Sequence, residues 1–174
     1  MIKRRLPHQF RFQLLAQWLT DTYSLRKAAD IGGGKGLLAY FLNQQGWEVT
    51  VIDPVNQSLP KKYKDIDSGT RLFIPKDAQV KRINLPYSEE MAKDFDLLIG
   101  LHAHGSNMKI INGAAKYNKD FVLFPCCVID EPIEIKPNIN WFDSLEDYAR
   151  DLRLPIESVR LNFVRQSSGF FTHK

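Results

Sequence analysis

Asp30-Ile31-Gly32-Gly33-Gly34-Lys35-Gly36 is the stretch of this sequence best suited to hold a ligand. Glycine has no Cβ, so a run of glycines can turn tightly and bring its backbone against a bound molecule. The run follows a short apolar stretch, Ala28, Ala29 and Ile31. It precedes Leu37, Leu38, Phe41 and Leu42, which recur at helical spacing, and Gly46 is placed to stop that helix. It therefore reads as a strand-to-helix turn. In a doubly wound sheet such a turn faces the crevice outside the carboxyl ends of the strands. A second apolar stretch, Val49, Val51 and Ile52, ends at Asp53, 21 residues after Gly32. A carboxylate there can accept hydrogen bonds from both hydroxyls of a ribose.

Two familiar nucleotide loops fail on individual residues. A P-loop needs Gly-x-x-x-x-Gly-Lys-Ser/Thr, but Ala29 fills the first glycine position and Gly36 follows Lys35. A dinucleotide loop needs Gly-x-Gly-x-x-Gly/Ala. Gly32 and Gly34 fit it, but Leu37 stands where a small residue must allow close helix–strand packing. The remaining pattern, Asp-x-Gly-x-Gly-x-Gly, resembles the first motif of class I, Rossmann-like S-adenosylmethionine-dependent methyltransferases. The resemblance implies S-adenosyl-L-methionine as cofactor, with Asp30, Gly32, Gly34 and Gly36 around its methionine portion and Asp53 on its ribose. It also implies an adenine contact after the third strand, where family members often carry an acid. Here Asn84 could pair with the adenine edge and Leu85 could pack on the ring, with Asp77 as a competing candidate.

Gly100-Leu101-His102-Ala103-His104-Gly105 and Pro125-Cys126-Cys127 close two further strand-like stretches. Imidazole titrates near neutral pH and can take a proton from a hydroxyl or a protonated amine, so His102 and His104 are the candidate catalytic bases. The alternative for each is a hydrogen bond to the loop backbone and no chemistry. Cys and His also ligate zinc, but His-x-His with adjacent cysteines lacks the Cys-x₂₋₄-Cys spacing of structural sites. No metal is expected on that ground, and the cysteines read as small residues of the pocket wall. The two segments together resemble a methyltransferase branch carrying Leu-His-x-Cys-Gly and Pro-Cys-Cys. That branch includes RNA-modifying enzymes, among them relatives of tRNA 2′-O-methyltransferases. His104 departs from it, standing where the branch has cysteine.

Periodicity supplies the elements that must position these residues. Phe10, Leu14, Leu15, Trp18 and Leu19 give a first helix ending near Asp21. A short helix around Leu59–Asp65, a turn at Gly69 and a strand over Gln79–Asn84 follow the second strand. Phe95–Leu101 and Phe121–Pro125 are nearly continuous apolar runs, as strands buried on both faces must be. A helix over Gly105–Tyr117 separates them. A helix from roughly Ser144 to Leu152, a strand over Val159–Val164 and a last strand near Phe170 complete the chain. Alternation of this kind predicts an α/β fold of the Rossmann-like, doubly wound type, with a mainly parallel sheet and an antiparallel C-terminal strand. Residues 1–174 read as one methyltransferase-like domain, with a basic N-terminal arm and helix over about 1–21.

The formal charge of +4 is unevenly spread. Lys3, Arg4, Arg5 and Arg11 precede the first acid, Asp21, and Lys61, Lys62 and Lys64 follow Pro60. Such clusters can engage RNA phosphates, and Trp18 or Tyr63 could stack on bases, although Trp18 falls on the apolar face of the first helix. The only two cysteines are adjacent, which excludes a disulfide framework and fits a reducing compartment. No stretch approaches the ~20 apolar residues of a membrane span, and a cytoplasmic location is expected. The function expected is S-adenosylmethionine-dependent methyl transfer, with RNA as acceptor. The alternatives are a small-molecule or protein side-chain acceptor, or a non-catalytic cofactor-binding or scaffold module. Asn84 in place of an acid and the lack of an Asn/Asp-Pro-Pro-Tyr segment favour the last.

Overall fold

The computed structural model describes residues 4–173, so Lys3 of the basic arm lies outside the described residues. Nine strands run in chain order: β1 Lys27–Ile31, β2 Glu48–Ile52, β3 Lys62–Lys64, β4 Arg71–Phe73, β5 Lys81–Ile83, β6 Leu97–Leu101, β7 Asp120–Phe124, β8 Ile156–Arg160 and β9 Ser168–Thr172. Four α-helices accompany them: α1 Arg11–Thr22, α2 Leu37–Gln44, α3 Asn107–Tyr117 and α4 Trp141–Asp151. Seven strands form one sheet in the order β5-β2-β1-β6-β7-β9-β8, and β3 and β4 make a separate hairpin. The pairs from β5 to β7 are parallel, while β9 runs antiparallel to both β7 and β8. This is the expected α/β architecture.

Side chains alternate across the sheet, as strand geometry requires, and build a core on each face. On one face Ala28, Val49, Val51, Leu97, Ile99 and Val122 pack with Leu15 and Leu19 of α1 and Leu38 and Leu42 of α2. On the other, Ala29, Ile31, Leu98, Phe121 and Leu123 pack with Ile110 and Ile111 of α3 and Leu145 and Ala149 of α4. Trp18 belongs to the first core, edge-on to Phe171 with ring centroids 4.9 Å apart. No described helix is long and apolar enough to cross a membrane.

The register sets where the loops leave the sheet. Ile31 lies opposite both Ile52 and Gly100, and Leu101 lies opposite Phe124. The glycine turn, Asp53, His102 and the Cys126–Cys127 pair therefore emerge at nearly the same level. The chain runs outward through β1, β2 and β5 and then returns to β6 on the far side of β1. The switch point lies between β1 and β6, where ligands bind in such sheets.

Two stretches differ from expectation. The segment around Leu59–Asp65 is the start of the β3–β4 hairpin and not a helix. Asp65 makes the turn. Its carboxylate accepts from the Ser68 N–H at 2.8 Å, its own N–H donates to the Thr70 carbonyl at 2.8 Å, and its carbonyl accepts from the Gly69 N–H at 3.0 Å. Such short-range side-chain bonds compete with helix. Tyr63, flanked by exposed Lys62 and Lys64, packs edge-on to Phe41 of α2 with centroids 4.9 Å apart. The eighth strand begins at Ile156, earlier than Val159, and ends at Arg160.

A buried polar cluster fastens the antiparallel strand. Asp120 at the start of β7 accepts from Thr172 Oγ1 at 2.9 Å and pairs with Arg26, and Thr172 Oγ1 accepts from the Phe121 N–H at 3.1 Å. Tyr23 donates to the Thr172 carbonyl. Thr172→Val should lower unfolding stability by about 1–3 kcal/mol, through loss of both hydroxyl bonds. Asp120→Ala, which strands Arg26, should cost about 3–5 kcal/mol. Denaturant melts of both variants check the ordering, and an Asp120→Ala variant as stable as the parent would contradict it.

Candidate functional site

The turn after β1 is built from positive-φ glycines: Gly32 at 67°, Gly34 at 53° and Gly36 at 82°. At Gly36 the reason is packing, since a Cβ would lie 2.8 Å from Val80 Cγ2 and 3.2 Å from Val51 Cγ2. At Gly34 it is access. A Cβ there would meet only Gln57 Nε2, at 3.8 Å, so the bare backbone faces open space. Asp53 locks this turn to the end of β2. One carboxylate oxygen accepts from the Gly34 N–H at 2.9 Å, and the other accepts from the Val55 N–H at 2.8 Å. A carboxylate has about four lone-pair sites, so each oxygen can still accept from a ligand hydroxyl.

Asp30, at the end of β1, is buried, and its Oδ2 has no hydrogen-bond partner. Burial, and then the negative charge of Asp53, push its carboxyl up to about 7, against the pull of Arg82. Arg82 lies beneath the turn. Its Nη2 donates to the Val55 carbonyl at 3.1 Å, and its Nη1 is buried without a partner. Two buried polar atoms beneath the turn, Asp30 Oδ2 and Arg82 Nη1, thus have no hydrogen-bond partner.

Two cavities meet at Gly32 and His102. One, of about 370 Å³, is lined by Asp53, Pro54, Pro86, Tyr87, Ala103 and His104 among others. The other, of about 860 Å³, takes in Gly32–Gly34, Phe12, Leu101 and the hairpin residues Lys62, Tyr63, Lys64 and Arg71. With Arg11 and Lys35 this larger cavity carries five cations against one acid, Asp30. Both volumes suit a drug-sized ligand.

No protein-family model matches the chain. Solved structures of similar shape are numerous. The magnesium protoporphyrin IX methyltransferase of Synechocystis PCC 6803, solved with S-adenosylmethionine bound, superposes with a TM-score of 0.56 at 15% identity, covering 95% of this chain and 77% of that one. The 1,6-didemethyltoxoflavin-N1-methyltransferase of Burkholderia thailandensis, solved with S-adenosylhomocysteine, gives 0.51 at 13% identity, covering 94% and 76%. The fold is that of the S-adenosylmethionine-dependent methyltransferases. In sequence, 102 residues are 38% identical to a Caenorhabditis elegans protein named "Probable tRNA (uracil-O(2)-)-methyltransferase", covering 58% of this chain and 17% of that protein. Its namesake from Caenorhabditis briggsae is 35% identical over 105 residues, covering 59% and 17%. The chain thus matches 17% of the length of these curated relatives.

Within this methyltransferase fold the expected residues separate into groups. Asp30, Gly32, Gly34 and Asp53 converge on the cavities, and Gly36 packs beneath them. Asn84 and Leu85 line neither cavity. Asn84 accepts from Arg82 Nε at 3.4 Å, and Leu85 is 55% exposed beyond the edge strand β5. Pro86 and Tyr87, just downstream, do line the smaller one. Lys62, Lys64 and Arg11 line the larger cavity, and exposed Lys61 flanks them. Arg4 and Arg5 lie on the arm, where Arg5 bonds Ser167.

His102 and His104 have different settings. His102 holds φ at 58°, a conformation costing about 1–3 kcal/mol in a non-glycine residue. Its N–H donates to the Phe124 carbonyl at 2.9 Å, and its Nε2 lies 2.9 Å from the Gln166 carbonyl. Nε2 must carry the proton to make that bond, so Nδ1 is the basic nitrogen of the neutral ring. Burial lowers its pKa and keeps the ring neutral. His104 is exposed and lies against Cys126 and Cys127.

Sequence reasoning missed His8. Its ring stacks on His102 with centroids 5.4 Å apart and planes 3° from parallel. Burial and Arg11 depress its pKa to about 4. The arm that carries His8 is tied down by Leu6, which pairs with the backbone of Asn162 and Val164. No spacing rule links residues 8 and 102.

The elevated Asp30 pKa has a consequence for stability. Its ordinary value is 3.8 and its folded value about 7, so the stability from the protonated form is full below 3.8 and is lost as pH rises through about 7. Asp30→Asn removes this loss. The melting temperature of the variant relative to the parent should therefore climb between about pH 4 and pH 8, with a ceiling near 4 kcal/mol. A pH-independent difference would mean that Asp30 ionises normally.

Proposed function

We propose that this chain is a methyltransferase-like domain, residues 1–174, that binds S-adenosylmethionine and transfers its methyl group to an oxygen of RNA. The observation carrying this is the switch-point turn itself: open glycine backbone at Gly34, the Asp53 carboxylate beside it, and two adjoining cavities, the larger edged by cations. The likeness of fold to methyltransferases solved with the cofactor or its product supports the first half. The partial match to proteins named for a tRNA uracil-O(2) activity supports the second.

In this reading Asp53 takes the ribose hydroxyls and the Gly32–Gly36 backbone lies along the methionine portion, with Asp30 beneath. The cofactor, when bound, supplies a methyl group on a sulfonium, which a nucleophile displaces in line. The protein must chiefly hold the acceptor in a near-attack arrangement. His102 Nδ1 is the base suited to receive the proton of an acceptor hydroxyl, since its tautomer is fixed and its ring is neutral. His104 is the second candidate. The basic rim holds phosphates, with Lys62, Lys64 and Arg71 on the hairpin, Arg11 on α1, and Arg4, Arg5 and Lys61 as outlying contacts.

Calorimetry with S-adenosylhomocysteine tests the cofactor half. We expect clear binding to the parent and a loss of about 1.5–3 kcal/mol in Asp53→Ala, where the hydroxyls lose a charged acceptor. Absence of heat at millimolar ligand would refute the reading. For the acceptor half, affinity for single-stranded RNA should fall as salt rises. Replacing Lys62, Lys64 and Arg71 together by Gln should reduce the log–log slope by about 2, at roughly 0.7 per phosphate contact. A parent that binds no RNA at low salt would point to a small-molecule or protein acceptor.

A further inference from the structure

Among the described residues, one group of three His, Cys, Asp or Glu side chains brings its ligand atoms within 4.8 Å of one another: His104, Cys126 and Cys127. The two sulfurs are 3.6 Å apart; His104 Nδ1 lies 3.1 Å from Cys127 Sγ and 3.9 Å from Cys126 Sγ, and the other ring nitrogen, Nε2, lies 3.2 Å from Cys126 Sγ. Tetrahedral zinc, with Zn–S near 2.3 Å and Zn–N near 2.0–2.1 Å, separates two sulfurs by about 3.8 Å and a sulfur from a nitrogen by about 3.5 Å. The observed triangle falls around those edges. We propose that His104 Nδ1, Cys126 Sγ and Cys127 Sγ form a three-ligand site for a thiophilic divalent cation of the zinc class.

The frame around the cluster is built to hold it. Parallel pairing of β6 with β7 sets Leu101 opposite Phe124, so the loops bearing His104 and the cysteines leave the sheet side by side. Glu131, beyond the cysteines, ties these loops together. Its two carboxylate oxygens accept from the N–H groups of Asn107 and Met108 at the start of α3, at 2.7 and 3.0 Å. Asn107 in turn donates from Nδ2 to the Cys127 carbonyl at 3.5 Å. Two thiolates and an imidazole select a soft or borderline ion over magnesium or calcium. Binding displaces a proton from each thiol to solvent.

Three protein ligands leave a tetrahedral ion one position for water or a bound molecule, the pattern of reactive rather than purely structural zinc. His104 also lines the smaller cavity, together with His102 and Asp53. An ion held here sits beside the cavity and not in a remote part of the fold. The inference does not rest on the cofactor reading, because the ligands come from β6 and β7 ends and involve no residue of the glycine turn.

The test is cobalt titration of reduced, tag-free protein with no nucleoside present. We expect about one cobalt per chain, an intense thiolate-to-cobalt charge-transfer band, and its loss on adding equimolar zinc. Cys126→Ser, Cys127→Ser and His104→Ala should each weaken zinc binding by more than the roughly 10–100-fold typical of outer-shell changes. Zinc should raise the melting temperature of the parent and leave that of the variants unchanged. A circular-dichroism melt without metal shows that each variant is folded before its affinity is read. No charge-transfer band in the parent, or a band that survives in the Cys126→Ser, Cys127→Ser double variant, would overturn the site and leave a thiol–imidazole hydrogen-bond cluster.

Discussion

Two backbone N–H groups, from Gly34 and Val55, converge on the single carboxylate of Asp53, and the geometry of the cavities follows from that convergence. The bond to Gly34 holds the turn after β1 against the end of β2. The bond to Val55 bends the chain away from β2 toward the hairpin. Charge-assisted bonds of this kind are about twice as strong as neutral ones. They lie at the carboxyl ends of two neighbouring parallel strands, where Gly34 is open while Gly36 is closed by Val51 and Val80. The same carboxylate adds to the effect of burial, which is the larger, in raising the pKa of Asp30. One side chain thereby holds the turn and contributes to the electrostatics beneath it.

Much of this was legible because it is local. The glycine turn, Asp53 and the buried strands announce themselves by residue type and by short-range periodicity, and the mainly parallel character of the sheet follows from strand–helix alternation. What sequence could not show depends on distant pairings. His8 meets His102 only because Leu6 pairs beside Phe163. Cys126 and Cys127 meet His104 only through the β6–β7 register, so a rule based on linear ligand spacing passes over them. The β3–β4 hairpin was misread for a different reason. The Asp65 carboxylate, N–H and carbonyl are all engaged in a turn with Ser68, Gly69 and Thr70, which holds the segment as a hairpin and not as a helix.

The N-terminal arm has a structural role beyond its charge. Leu6 joins it to the segment before β9, His8 stacks on His102, and Arg11 lies over the Phe12 ring at 4.1 Å while its Nη1 reaches the His8 carbonyl at 3.2 Å. Gln9, Arg11 and Phe12 thereby join the glycine turn, the hairpin and His102 in lining the larger cavity. His102 is confined on two sides, by the imidazole of His8 and by the Gln166 carbonyl. His102 holds this ring position with a left-handed backbone.

The β3–β4 hairpin pairs only with itself and stays outside the seven-stranded sheet. Apart from Tyr63 against Phe41 and Gln13 bonded to Asp65, its strands contribute little to either core. It shares no ladder with the strands that carry the glycine turn. Selection can thus revise what approaches the larger cavity at small energetic penalty to the scaffold. Lys62, Lys64 and Arg71 sit on this separate hairpin, whereas the glycine turn and Asp53 are fixed to the ends of parallel strands inside the sheet.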